Sequence, residues 1–173
     1  MGTLVSERVD VSVNVMERSV TATSNWVFQL LLRIASLRGL PADYLLDKRQ
    51  IVETGLFAWL AEQTLEGFSV EIWNPDSDEA IERFDFEFNY RAEADTKVRN
   101  PNMAKLEEFC HTLRGLPSNA QYRILVSTAP GATQVEGWYP GEFKPLHVDH
   151  EEQLSDHGFG FVGTKLVYRG GGC

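Results

Sequence analysis

The densest group of side chains able to hold a metal ion lies between His147 and His157. His147, Asp149 and His150 are followed by Glu151, Glu152 and His157, and imidazole with carboxylate suits a divalent cation. A metal-dependent enzyme centred on His147, Asp149 and His150 is the chemistry this group would support. Its spacing matches no motif with a mechanism, and the stretch has no clear helical face. A solvated acidic loop accounts for it better, and no metal site is assigned.

Other catalytic arrangements are weaker. The chain has no GxSxG elbow and no GxxxxGK[ST] phosphate loop. Cys110 falls on the apolar side of a helix-like stretch, as a small core residue would. GFGFVG, Gly158 to Gly163, is rich in glycine but leads into a strand, so it lacks the helix N-terminus that receives a phosphate. A bend or bulge at a strand start explains those glycines. Asp85 and Glu87 are paired carboxylates at outward strand positions, where water solvates them. No catalytic residue and no cofactor is assigned. Gly137-Trp138-Tyr139-Pro140-Gly141 admits two readings. Its aromatics anchor a movable strand against a surface while the glycines let the chain turn, or they end an ordinary hairpin with Trp138 buried.

These residues must be positioned by the elements around them. Val9, Val11, Val13 and Val15 alternate with polar residues, which predicts a half-buried strand over Val5 to Val15. Thr23 or Ser24 then caps a helix over Asn25 to Leu37, with Trp26, Leu30, Ile34 and Leu37 on one face; Gly39 and Pro41 stop it. A second helix over Arg49 to Thr64 gathers Val52, Leu56, Trp59 and Leu60. Phe68, Val70 and Ile72 alternate in a strand, and Asn74 to Asp78 make a turn. RFDFEFNY follows, with Phe84, Phe86, Phe88 and Tyr90 facing one way and Asp85, Glu87 and Asn89 the other, toward water. Arg91 to Arg99 reads as a loop. Asn100 caps a third helix that Pro101 begins and that runs to Arg114. Tyr122 to Thr128 and about Phe161 to Tyr168 are the remaining strands. Between them lies a long, loosely patterned stretch, and such loops are functional or disordered. The order predicts an α+β domain, with helices over one face of a mostly antiparallel sheet.

Composition bounds the rest. The chain has 173 residues with 43% hydrophobic content, enough for one domain with a core. Its net charge is −9, from 25 acidic and 16 basic residues, which disfavours direct binding to nucleic acid or an anionic membrane. Two cysteines, Cys110 and Cys173, make neither a disulfide scaffold nor a zinc site. The amino end has no signal-peptide core and no apolar run of membrane-spanning length. MGTLVS fits the loose myristoylation pattern, which is short enough to occur by chance. The expectation is a soluble protein of the reducing cytoplasm.

VEIWNPDSDEAIERFDFEFNY, NAQYRILVSTAP and VEGWYPGEF leading into GFGFVGTKLVYR together resemble the bacterial HORMA-domain proteins of CBASS anti-phage operons. The resemblance implies one domain over 1–173, with an N-terminal strand or arm (1–20), a core (21–128), and a mobile C-terminal safety belt with the last strand (129–173). It implies three helices on the sheet, and a belt that closes a short peptide, the closure motif, against a sheet edge. Arg123, Leu125 and Ser127, or their neighbours on the strand, would then line the peptide. Val135, Gly137, Trp138 and Tyr139 would line it from the belt, with Val135 to Tyr139 as the belt's strand-forming part. Met1, Gly2, Thr3, Leu4 and Val5 match the region engaged by an AAA+ remodelling ATPase. The implied function is regulatory and not enzymatic. Closed on its peptide, such a protein binds and activates a cGAS/DncV-like nucleotidyltransferase, and the ATPase reopens it. A non-switching adaptor, or a partner for a second HORMA protein, is the alternative.

Overall fold

The computed structural model describes residues 2–95 and 103–172. The chain begins with one long helix, α1 (Gly2–Leu37), followed by α2 (Asp43–Asp47) and α3 (Arg49–Glu62). A hairpin of β1 (Leu65–Asn74) and β2 (Glu79–Asp95) comes next, then α4 (Met103–Thr112), β3 (Gln121–Thr128) and β4 (His150–Gly170). The strands form one antiparallel sheet in the order β3-β1-β2-β4.

The predicted strand over Val5 to Val15 is helix, so the N-terminal strand or arm is corrected to the first half of α1. Val5, Val9 and Val13 also recur every fourth residue, the helical spacing, so the valine alternation satisfied both periods. No glycine or proline interrupts the chain between Gly2 and Gly39, so nothing stops the helix at the predicted cap. Thr23 and Ser24 lie inside α1 and are buried.

From Val20 on, α1 packs its apolar side on the sheet. Phe28, Leu31 and Ile34 are buried, and the Trp26 ring meets Phe86 edge-on at 5.9 Å. Phe68, Val70, Ile72, Phe84 and Phe86 share that face of the sheet and are buried beneath the helices. Among the described residues there are four helices, where three were expected. The extra one, α2, has five residues, too few to show a periodicity, yet it buries Leu45.

Two boundaries move. Arg91 to Asp95 continue β2 and are not a loop; 96–102, including Asn100 and Pro101, lie outside the described residues. β4 starts at His150, well before the predicted Phe161. A straight strand of 21 residues would span roughly 70 Å. Yet the Asp149 N–H donates to the Gly170 carbonyl at 3.0 Å, and Arg169 Nε reaches Glu151 at 3.0 Å. β4 therefore doubles back on itself, and the bend falls in the glycine-rich stretch, where Gly160 holds φ at +55°. Its second half, from Gly160, pairs with β2.

The outer face of the sheet is not the simple solvated surface expected. Asp85 is 5% exposed, because Ser69 (2.6 Å), Arg83 (2.7 Å) and Arg169 (2.5 Å) all donate to it. Burial alone would lower the Arg169 pKa, but its hydrogen bonds to Asp85 and Glu87 outweigh this and raise it.

Candidate functional site

β3 is an edge strand. One side pairs with β1, in a register that sets Ile124 opposite Val70 and Arg123 opposite Glu71. Among the described residues its other side has no strand partner, so it offers a row of main-chain donors and acceptors. Side chains alternate across a strand. Ile124 and Val126 therefore point to the helix face, beside Val70 and Phe68, while Arg123, Leu125 and Ser127 point to the outer face.

The segment from Ala129 to Asp149 passes around this open edge. It is first tied to the helix layer. The Ala129 N–H donates to the Thr64 carbonyl at 2.8 Å, and Trp59 Nε1 donates to the Thr133 carbonyl at 2.8 Å. Thr133 donates to the Glu62 carboxylate from its N–H, at 3.2 Å, and from its hydroxyl. Those two bonds, the hydroxyl's first, hold the Glu62 carboxyl below its ordinary value. Trp138 then packs edge-on to Trp59 at 5.2 Å and Phe68 at 6.1 Å, and its Nε1 donates to the Ile51 carbonyl at 3.1 Å.

Two glycines make room for this seat. A Cβ on Gly55 of α3 would lie 2.7 Å from Trp138 Nε1, and a Cβ on Gly137 would lie 2.9 Å from the Ile51 side chain. Gly137 also has φ +90°, a conformation that favours glycine.

The segment then reaches the opposite face. The Lys144 N–H donates to Glu71 Oε2 at 2.9 Å, and Arg123 Nε donates to Glu71 Oε1 at 2.8 Å. A second Arg123 nitrogen donates to the Glu142 carbonyl. Lys144 also pairs with Asp78 and lies 4.2 Å from the Trp73 ring centre. The Arg83 guanidinium stacks on Phe143 at 4.3 Å. Phe68 and Glu71 face opposite sides of the sheet, so the chain wraps the β3 edge like a strap.

Between strap and strand lies a groove of about 840 Å³. Arg123, Leu125, Val135, Gly137, Trp138 and Tyr139 line it, whereas Ser127 does not. Val135 to Tyr139 are irregular and contain a turn, so the strand expected there is corrected; the positive φ of Gly137 and the helix contacts of Trp138 and Thr133 leave no extended run. Ile124 and Val126, neighbours of the expected strand residues, line it as well, whereas sequence reading missed Trp59 and Thr133. Trp59 looks like core in a periodicity pattern.

The histidine cluster is divided. His147 Nε2 lies 2.7 Å from Asp149, while His150 turns toward Glu152 at 3.3 Å and stacks on Phe109. Among the described residues no three His, Cys, Asp or Glu side chains gather as a metal site; the side chain of His157 lies outside them. Cys110 is buried, and burial pushes its thiol up to about 11. Gly2, Thr3, Leu4 and Val5 are part of α1, with their side chains outside the description; Met1 lies outside the described residues altogether. No described helix is long and apolar enough to cross a membrane.

The bacterial HORMA domain 2 family matches residues 8–153, and the chain belongs to it. Among solved structures, a chain of the mitotic checkpoint complex is similar at 16% identity and TM-score 0.75, over 87% of this chain and 97% of that one. C. elegans HTP-2 bound to the HIM-3 closure motif is similar at 12% identity and TM-score 0.64, over 90% and 92%. The E. coli MS115-1 CdnC:HORMA-deltaN complex contributes a chain at 15% identity and TM-score 0.61, over 90% of each. At these identities the likeness shows the fold. A search of curated proteins by sequence finds no match.

Proposed function

We propose that this protein is a peptide-gated switch with no chemistry of its own. Closed on an extended peptide, it binds and activates a cGAS/DncV-like nucleotidyltransferase in CBASS anti-phage signalling. The observation that carries this reading is the β3 edge, without a strand partner among the described residues, enclosed by a strap fastened to both faces of the sheet. A peptide laid on such an edge gains main-chain hydrogen bonds, and its alternate side chains enter the groove. Each bond contributes only about 1 kcal/mol net, so contact alone holds a short peptide weakly. A strap across it makes release wait for the strap to move. The solved HTP-2 structure holds a closure motif, and the E. coli relative sits in a complex with CdnC; both support this assignment.

The peptide would be lined by Arg123 and Leu125, with Ser127 at the margin, and by Val135, Gly137, Trp138 and Tyr139. The division into core (21–128) and belt (129–173) follows the same reading. An AAA+ ATPase would reopen the strap by pulling on the chain's start, Met1 to Val5. A second HORMA protein is a further candidate partner.

The test is co-purification of the full chain with a neighbouring nucleotidyltransferase, with and without peptide, together with ion-exchange chromatography. The expected result is peptide-dependent complex formation and two separable folded species. A single species with no peptide bound, and residues 134–160 uniformly protected in hydrogen exchange, would favour a fixed adaptor instead.

A further inference from the structure

The contact between α1 and β4 carries hydroxyls where the rest of the core is apolar. α1 lies along β4. Its buried side begins with Ser19, Val20, Thr23 and Ser24, and only from Trp26 on is it apolar throughout, with Val27, Leu31 and Ile34. On β4, the register sets Val162, Thr164 and Leu166 opposite Tyr90, Phe88 and Phe86, so Thr164 stands in the row that faces the helices. Thr23 is 0% and Thr164 1% exposed, and neither hydroxyl has a hydrogen-bond partner among the described residues.

Other hydroxyls on this contact are matched. Ser19 Oγ accepts from the Phe161 N–H at 3.2 Å, and the Tyr168 hydroxyl donates to Glu82 at 3.0 Å. A buried hydroxyl left unmatched forfeits the bonds that water gave it. Valine has nearly the same shape and would fill either place without that loss.

We propose that Thr23 and Thr164 set how readily the second half of β4 leaves its place beside β2 and beneath α1. Docked, each hydroxyl is dry and unmatched; detached, each returns to water. The two residues therefore shift the balance toward release, against the apolar area that Val162 and Leu166 bury. The strand that would leave also starts at a joint, since its pairing with β2 begins at Gly160, where φ is +55°. This rests on the switch reading above and names residues that regulate it.

The experiment is hydrogen exchange on the full chain, natural and with Thr23→Val or Thr164→Val, beside ion-exchange chromatography of each. In the natural chain, amides of 162–168 should exchange ahead of those of 68–72 in β1. Each valine should slow the 162–168 amides by roughly fivefold or more, the scale of one unmatched hydroxyl. Each should also shift the separable species toward the one in which 162–168 are protected. Threonine and valine have similar propensities in helix and in strand, so the change reports the hydroxyl. Thr164→Ser keeps the hydroxyl and loses a methyl, and should speed exchange instead. Valine variants that exchange as fast as the natural chain, or faster, would show that the hydroxyls are matched, as by a buried water. That would overturn the proposal, while two separable species would leave the switch standing. Amides of 162–168 that exchange in step with 68–72 in every chain would show that β4 does not leave alone, and would overturn it equally. A single species in all chains would take down the switch reading as well.

Discussion

Lys144 and Glu71 join the strap to the sheet through one hydrogen bond, from the Lys144 backbone N–H to the Glu71 carboxylate at 2.9 Å. Glu71 is 0% exposed and also receives Arg123. A solvent-exposed ion pair would contribute little. Here the carboxylate has no water to turn to, so each lost donor costs more. Because Trp138 is seated on the other face, lifting the strap requires both fastenings to give way.

Glu71→Gln keeps the volume and removes the charge. The strap should open more often, and protection of the Lys144 amide against hydrogen exchange should fall by roughly tenfold or more, the scale of one charge-assisted bond. Amides in β1 and β2 should keep theirs. Unaltered protection at Lys144 would show that Glu71 does not fasten the strap.

Gly55→Ala gives a sharper contrast. Alanine within a helix ordinarily gains about 1 kcal/mol over glycine. At this position the added carbon would lie 2.7 Å from Trp138 Nε1 and 2.8 Å from the Trp59 ring. The variant should keep or raise helix stability by circular dichroism, yet lose protection against hydrogen exchange across 129–141. A strap as protected as that of the natural sequence would mean that the two indoles shift without cost.

The glycine seat also shows how legible the molecule was. Gly55 carries no signal in the periodicity of the second helix; the close contact it permits is with a tryptophan far along the chain. The hairpin of β1 and β2 was plain because period-two alternation is local. The first half of α1 was misread because its valines fit both a strand and a helix, and only long-range packing decides between them. The strap's Trp138 and Tyr139 stood out by residue type between glycines. The latch on Glu71 did not, since an outward strand glutamate looks solvated until the belt that covers it is in place.

Acid should loosen the strap at its other end. The Thr133 hydroxyl and N–H bonds to Glu62 lower that carboxyl below 4.5, so closure favours the ionised form. Their contribution is therefore full above about pH 4.5, the ordinary value, and fades as pH falls through the lowered one. Exchange of the Thr133 amide, corrected for its intrinsic pH dependence, should accelerate through that window. In Glu62→Gln this added acceleration should disappear. A pH profile shared by both proteins would assign the loosening to another group.

Phe86→Ala and Trp138→Ala should separate core from strap. Phe86 is fully buried and touches both Trp26 and Phe68, so its loss should cost about 3–5 kcal/mol of global stability. Trp138 joins the strap to α3 and to the rim of that core. If the strap is a separate local unit, removing Trp138 should leave the global unfolding free energy within about 1 kcal/mol of the natural value. Exchange across 132–141 should instead rise toward the unprotected rate, and any bound peptide should leave faster. Equal losses of midpoint in the two variants would show that strap and core unfold as one, and a strap that cannot move alone cannot release a guest.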